Sequence, residues 1–452
     1  MSAMAVRPGP GRPLADRRLF LARQRIGTAT VRRVLADTQS RIRAGELGAG
    51  DVVQAAVDHL PPGEPATHRV INATGVLLHS RLGGAVLSGP ARAAVGAATG
   101  CVDIEFDLAT GRRDRRGRPA VAALMAAVPA AEAAYLVNNN AAALMLAAAV
   151  LAPGRDLVIS RADLAARYDG FRLPELLLAA GARIHPVGSA EPATVADYRA
   201  ALWAGTGCIL RVVTAAGPDA DPGPGLAELV ALGIPVIADV FSGLLGPEPA
   251  LPAEPDVETA LNQGAALVTT GAEKLLGGPQ AGLLFGGRSV VDDVRRSALA
   301  RATQADKLTL AAVEATLAHR GSPTLDAVRA TVGDLRTRAA SIVRRLAAAG
   351  VPAEVVATEA TIGRTGGSAP LPSAAVAVRG ELAGPLRHGD PAVVAHRTGD
   401  RLLLDIRSVP SDQDTALVRA VISVARAAGL APPPADRTVR PAGGTVRRNR
   451  RR

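Results

Sequence analysis

The sequence predicts an α/β protein whose main body is a mostly parallel sheet covered by helices on both faces. Three observations carry that expectation. Between about 66 and 320, short β-branched apolar runs alternate with longer Ala/Leu-rich runs, the alternation that builds parallel sheets buried on both sides. Hydrophobic residues make up 48 % of the chain, enough for a large core and too many for wholesale disorder. The length of 452 residues leaves room for about two to four domains, so flanking modules are expected as well.

Residues 1–13 are rich in Pro and Gly without an apolar period and are expected to be disordered. From 14 to 60 the pattern is helical and arginine-rich, as in DRRLFLARQRI, ATVRRVLADTQSRIRAGEL and AGDVVQAAVDHL, with breaks at Gly27 and between Gly45 and Gly50. This N-terminal helical module has a basic surface that either is simply solvated or contacts RNA. The linker PPGEPATHR leads into the large α/β domain, 66–320.

Expected strands in that domain are 133–139, 156–161, 182–188, 208–214, 235–240, 266–270 and 282–287. Helical runs such as AAALMLAAAVLA and GLAELVALG separate most of them. A helix is expected from about 305, and a second, unbroken one over 326–350. The runs PAEVVAT, PSAAVAVRG and DRLLLDIRSV read as strands beside a helix at DTALVRAVISVARAAG, which predicts a small C-terminal α+β domain, 321–430. The remainder, 431–452, has seven arginines after Asp436 and no apolar period, so a disordered basic tail is expected, either solvating or touching an anionic polymer.

Composition excludes several function classes. Aromatics at 2 % argue against aromatic cages and base-stacking surfaces. Cys101 and Cys208 are far apart, and the seven histidines lack ligand spacing, so neither a disulfide framework nor a metal site is expected. The most apolar window, 141–152, is too short to span a bilayer, and no apolar export segment follows the N-terminus. A soluble, cytoplasmic protein without a membrane partner is expected.

Formal net charge is +11, yet only Lys274 and Lys307 are lysines. Arginine replaces lysine wherever any cation serves, but a guanidinium stays protonated and forms no Schiff base. Lys274 lies in TTGAEKLLGGPQAG, on a polar loop between two apolar strands, with Gly277 and Gly278 allowing close approach of a bulky ligand. Upstream, PVIADVFSG ends a buried strand in Asp239. An amine and a carboxylate at neighbouring strand ends are what a pyridoxal 5'-phosphate (PLP) enzyme requires: the lysine holds the aldehyde, and the acid pairs with the protonated pyridine nitrogen. Asn138, Asn139 and Asn140 stand between a strand and a helix, where they are either an ordinary N-cap or part of a phosphate cup.

The segments RVINATGVLLHSRLGGAVLS, DIEFDLATGRRDRRGR, LVNNNAAALML and EKLLGGPQAG together resemble the bacterial L-seryl-tRNA(Sec) selenium transferases, PLP enzymes of fold type I. ADKLTLAAVEATL and DRLLLDIRSV extend the resemblance, which covers roughly 66–415. It implies conversion of seryl-tRNA(Sec) to selenocysteinyl-tRNA(Sec) with selenophosphate through an aminoacrylyl intermediate, by a homo-oligomer with no DNA partner. It also implies Lys274 as the Schiff-base lysine, Asp239 as the pyridinium partner, Glu273 as the acid before the lysine, and Asn138 to Asn140 as cofactor contacts. Arg113, Arg116 and Arg301 match family arginines expected to face the substrate.

Some positions depart from the family pattern. HSRLGGA places Gly84 where the family has arginine, with Arg81 as a nearby cation, and Gln304 stands at a second arginine position. The family's His-bearing stretch is here VVTAAGP. Two alternatives therefore stay open: a PLP-dependent paralogue that eliminates or transaminates a small free amino acid, and a non-enzymatic RNA-binding relative.

Overall fold

The computed structural model describes residues 16–48, 52–61, 67–165, 172–189, 192–215, 223–319, 321–363 and 370–431. The expected disorder of 1–13 and of the tail past residue 431 lies outside the described residues. The chain divides into two compact units, Met1–Arg69 and Val70–Arg452.

The first unit has helices Arg17–Ile26, Thr28–Arg43 and Val52–Asp58. Leu19 and Ala22, then Val31 and Leu35, repeat at helical spacing and close with Ala56 into a small core of their own. Gly27 joins the first two helices at a φ of 83°, a backbone that residues with a Cβ seldom adopt. Arg17, Arg18, Arg32, Arg33 and Arg43 are exposed.

The second unit opens with strand β1 (Val70–Ala73) and a short hairpin of β2 (Phe106–Asp107) and β3 (Arg112–Arg113). Seven strands then build the larger sheet: β4 (Ala133–Val137), β5 (Asp156–Ser160), β6 (Arg183–Val187), β7 (Thr206–Val213), β8 (Val236–Val240), β9 (Leu267–Gly271) and β10 (Gly282–Gly286). Their order is β4-β10-β9-β8-β7-β5-β6, and β10 alone runs against the others. Strand side chains alternate between faces. Val236, Ala238 and Val240 of β8 enter one core cluster, while Ile237 enters the other. The second cluster contains Leu144 and Leu146 of the helix Asn140–Leu151, both fully buried, and each such leucine contributes about 2 kcal/mol of burial. Two covered faces explain why these strands read as continuous apolar runs.

The smaller sheet holds β1 and four later strands: β11 (Glu354–Ala360), β12 (Leu371–Arg379), β13 (Ala392–Thr398) and β14 (Arg401–Asp405), in the order β1-β13-β14-β12-β11. β1, adjacent in sequence to the large domain, pairs parallel with β13, Val70 opposite Ala392. The helix expected over 326–350 is two helices, Pro323–Arg329 and Val332–Ala348. Ala330 leaves the helical region at φ −58° and ψ 130°, and the Thr331 side chain accepts from the Asp334 amide to start the second helix. Among the described residues no helix is long and apolar enough to cross a membrane.

Candidate active site

β4, β8 and β9 end, and β10 begins, along one edge of the larger sheet. Gly282 stands opposite both Val137 and Gly271, so the asparagine run and the lysine loop leave the sheet side by side. A Cβ on Gly282 would lie 2.1 Å from the Asn139 carbonyl oxygen, which explains why only glycine starts β10 here.

Asp239 is fully buried at the end of β8. It shares strand parity with Ile237 and so faces the helix Asn140–Leu151. Its Oδ1 accepts from Nδ2 of Asn140 at 2.8 Å and from Oγ1 of Thr269 at 2.7 Å. The three asparagines have separate tasks. Asn138 is exposed and donates its amide to the Thr303 carbonyl at 3.0 Å. Asn139 is the N-cap, its side chain accepting from the Ala142 amide at 2.9 Å. Asn140 holds Asp239, and its own Oδ1 is buried without a hydrogen-bond partner.

Lys274 is 5 % exposed. Its loop is closed by bonds from the Ala272 amide to Ala281 O and from the Gly278 amide to Ala272 O, both 2.9 Å, and is tied to the turn after β8 by the Leu275 amide on Ser242 O at 3.1 Å. Nζ donates to the Phe241 carbonyl at 2.8 Å and lies 3.2 Å from the centre of the Phe241 ring. Gly243, at a φ of 86°, admits the loop: a Cβ there would lie 2.8 Å from Gly271 O and 2.9 Å from Lys274 Cβ. Glu273 accepts the Ala85 amide on its main-chain oxygen at 3.3 Å, while its Oε2 is buried without a partner, as is Nδ1 of His79. Thr269 and Phe241 are absent from the sequence reading. Their signal was position alone, since Phe241 follows Asp239 by one strand repeat.

The arginines collect elsewhere. Arg113 and Arg116 pair with Glu105 at 3.2 and 3.3 Å, and Arg116 also donates to Ala305 O at 2.9 Å. Burial raises the Glu105 pKa, but hydrogen bonds from Arg116 and Arg113 outweigh it and hold the carboxyl below its usual range. Arg301 donates to Gln304 Oε1 at 2.8 Å. Arg113, Arg116 and Arg301 line one cavity of about 910 Å³ with Arg115, Arg118 and Arg295, and neither Lys274 nor Asp239 lines it. Arg81 is exposed in the turn Ser80–Leu82 and is not part of that lining. Gly84 has a φ of 75°, so an arginine there would be strained in this backbone.

Other reactive groups stand apart. Lys307 donates to the carbonyls of Thr99 and Gly100, just past the end of the helix Gly89–Ala98. Cys208 is buried, which pushes its thiol up to about 12 and removes it as a nucleophile. No cluster of three or more potential metal ligands occurs among the described residues.

Residues 70–410 match the family described as "SelA: L-seryl-tRNA selenium transferase". The L-seryl-tRNA(Sec) selenium transferase of Moorella thermoacetica is 38 % identical over 429 residues, spanning 87 % of this chain and 90 % of that protein. The one of Methylocella silvestris is 37 % identical over 421 residues, spanning 85 % and 89 %. Among solved structures, D-glucosaminate-6-phosphate ammonia-lyase superposes with a TM-score of 0.56 at 18 % identity, covering 80 % of this chain and 97 % of that one.

Proposed function

The chain belongs to the L-seryl-tRNA selenium transferase family, and from that premise we propose that it converts L-seryl-tRNA(Sec) to L-selenocysteinyl-tRNA(Sec), with PLP as cofactor and selenophosphate as selenium donor. The observation that carries this reading is that Asp239, bonded to Asn140, stands two residues before Phe241, whose carbonyl holds the Lys274 amine. The residues fit PLP: a buried amine, a buried carboxylate held by two donors, and the N-terminus of the helix Asn140–Leu151, whose backbone amides suit a phosphate. Lys274 would hold the aldehyde, Asp239 the ring nitrogen, and backbone amides of the loop of Asn138 to Asn140 the phosphate. When bound, PLP supplies an electron sink for negative charge at the seryl α-carbon.

The chain's own groups perform the rest. The bonds from Asn140 and Thr269 orient Asp239 so that its carboxylate needs no reorganisation during turnover. Glu273 has an unpartnered Oε2 one residue from the lysine, and we assign it proton delivery to the departing seryl hydroxyl. Arg113, Arg116 and Arg301, with Arg81 as an outlying cation, would receive the anionic donor and tRNA phosphates.

Lys274 does not line that cavity, and we propose that a second copy of the chain brings the two together. Val102, Phe106 and Leu108, 40, 48 and 75 % exposed beside the arginine-bearing hairpin, suit such a contact. We propose a cytoplasmic location, the compartment of a charged tRNA substrate.

A second reading, a paralogue acting on a small free amino acid, is favoured by Gly84 and Gln304, which stand at positions where the family has arginine. The test is purified protein given PLP, seryl-tRNA(Sec) and selenophosphate. Selenocysteinyl-tRNA(Sec) supports the first reading. Turnover of free serine without tRNA supports the second.

A further inference from the structure

We propose that Phe241 is a positioning residue that docks the amine of Lys274, holding Nζ as an ammonium on its carbonyl oxygen and ring face whenever the amine is not bonded to cofactor. The inference rests on the reading of Lys274 as the cofactor lysine and adds a residue to that site. Nζ meets two electron-rich groups of one residue, the carbonyl at 2.8 Å and the ring centre at 3.2 Å. A carbonyl oxygen and an aromatic face both favour the charged amine over the neutral one. At 5 % exposure the lysine has little water to solvate a charge, so these contacts replace part of its lost hydration.

The dock is rigid. The Phe241 amide donates to Val213 O at 3.1 Å, which extends the β7–β8 ladder past its last paired residue. Ser242 binds the lysine loop through the Leu275 amide, and its own Oγ donates to Pro255 O at 2.5 Å. Asp239 lies in β8, and Phe241 is the first residue past its end. One strand end therefore presents both the carboxylate for the cofactor ring and the cradle for the amine that must return to it. Without the ring, the amine would keep its carbonyl contact but lose the face that favours its charge.

The experiment uses the full-length protein without added PLP. Because Lys274 and Lys307 are the chain's two lysines, acetic anhydride labelling across pH, read by peptide mass spectrometry, follows each separately. Phe241→Leu is expected to lower the pH midpoint of Lys274 labelling by about 0.5–1 unit, with the Lys307 profile unchanged and Phe241→Tyr returning the midpoint to the wild-type value. Extra access alone raises the rate at every pH without moving the midpoint, and that result, like a superimposable profile, overturns the proposal. Should the leucine variant not fold, Phe241→Met against Phe241→Tyr carries the same comparison. A wild-type protein that takes up no PLP by absorbance would sink the functional reading and leave the labelling result to decide Phe241 separately.

Discussion

Nδ2 of Asn140 donates to Oδ1 of Asp239 at 2.8 Å, joining residues 99 positions apart in the chain. The bond ties the first turn of the helix Asn140–Leu151 to the end of β8, so the expected phosphate end and the expected ring-nitrogen end of the cofactor site are mechanically one piece. Thr269 adds a bond from β9, the strand that leads to Lys274. Three neighbouring elements thus converge on one buried carboxylate.

Asp239→Asn keeps the size of the side chain but removes its negative charge. The variant is expected to fold and to bind PLP, with turnover of seryl-tRNA(Sec) lowered by about 10²–10³-fold. Steady-state turnover with an absorbance titration of PLP measures both. Wild-type turnover would remove Asp239 from the reacting centre.

The adjacent asparagines should separate stability from function. Asn139→Ala loses the helix cap and is expected to lower stability by about 1 kcal/mol with little change in PLP affinity. Asn140→Ala takes a donor from a buried carboxylate and is expected to cost about 1–3 kcal/mol while weakening PLP binding and turnover. Thermal unfolding and PLP titration of both variants check the contrast, and equal PLP affinity in the two would refute it.

Arg329 donates to both oxygens of Glu248, at 3.2 and 2.6 Å, clamping the helix Pro323–Arg329 to the segment after β8. The Arg329 hydrogen bond holds the Glu248 carboxyl below its ordinary value of 4.5. A lowered folded-state pKa means that the stabilisation is complete above the unfolded value and is lost as pH falls through the folded one. Arg329 is half exposed, so the amount is about 1 kcal/mol or less. Urea unfolding of wild type and Glu248→Gln should differ at pH 7 and converge on acidification. A gap that stays constant down to pH 3 would show that the pair does not titrate with stability.

The N-terminal unit carries exposed arginines on a core separate from that of the lysine site. Removing residues 1–69 is expected to weaken tRNA binding and lower its salt dependence, because phosphate contacts release counterions, while PLP uptake persists. Binding measured at several salt concentrations for both chains tests this. Equal affinity would deny the unit a tRNA role.

Periodicity made the larger sheet legible, because buried parallel strands are apolar on both faces and β4 to β10 each stand out as short runs. The smaller sheet was harder to read. β1 has four residues and β13 is partly exposed, and β1 joins the sheet only by pairing with β13 across more than 300 residues. The break at Ala330 was hidden because helical spacing continues through it, while the Thr331 cap takes effect only once the second helix packs.

By itself the sequence determined the seven strands of the larger sheet and singled out Lys274, Asp239 and the asparagine run. These are local facts of composition and spacing: few lysines, an acid ending a buried strand, polar residues before a helix. Tertiary structure alone decided that Asn140 rather than Asn138 holds Asp239, that Phe241 receives the lysine amine, and that Arg113, Arg116 and Arg301 share a cavity that Lys274 does not line. Such contacts depend on which strands become neighbours and on the parity with which each side chain leaves its strand. That arrangement is set by burying both faces of the sheet at once, so no single segment carries it.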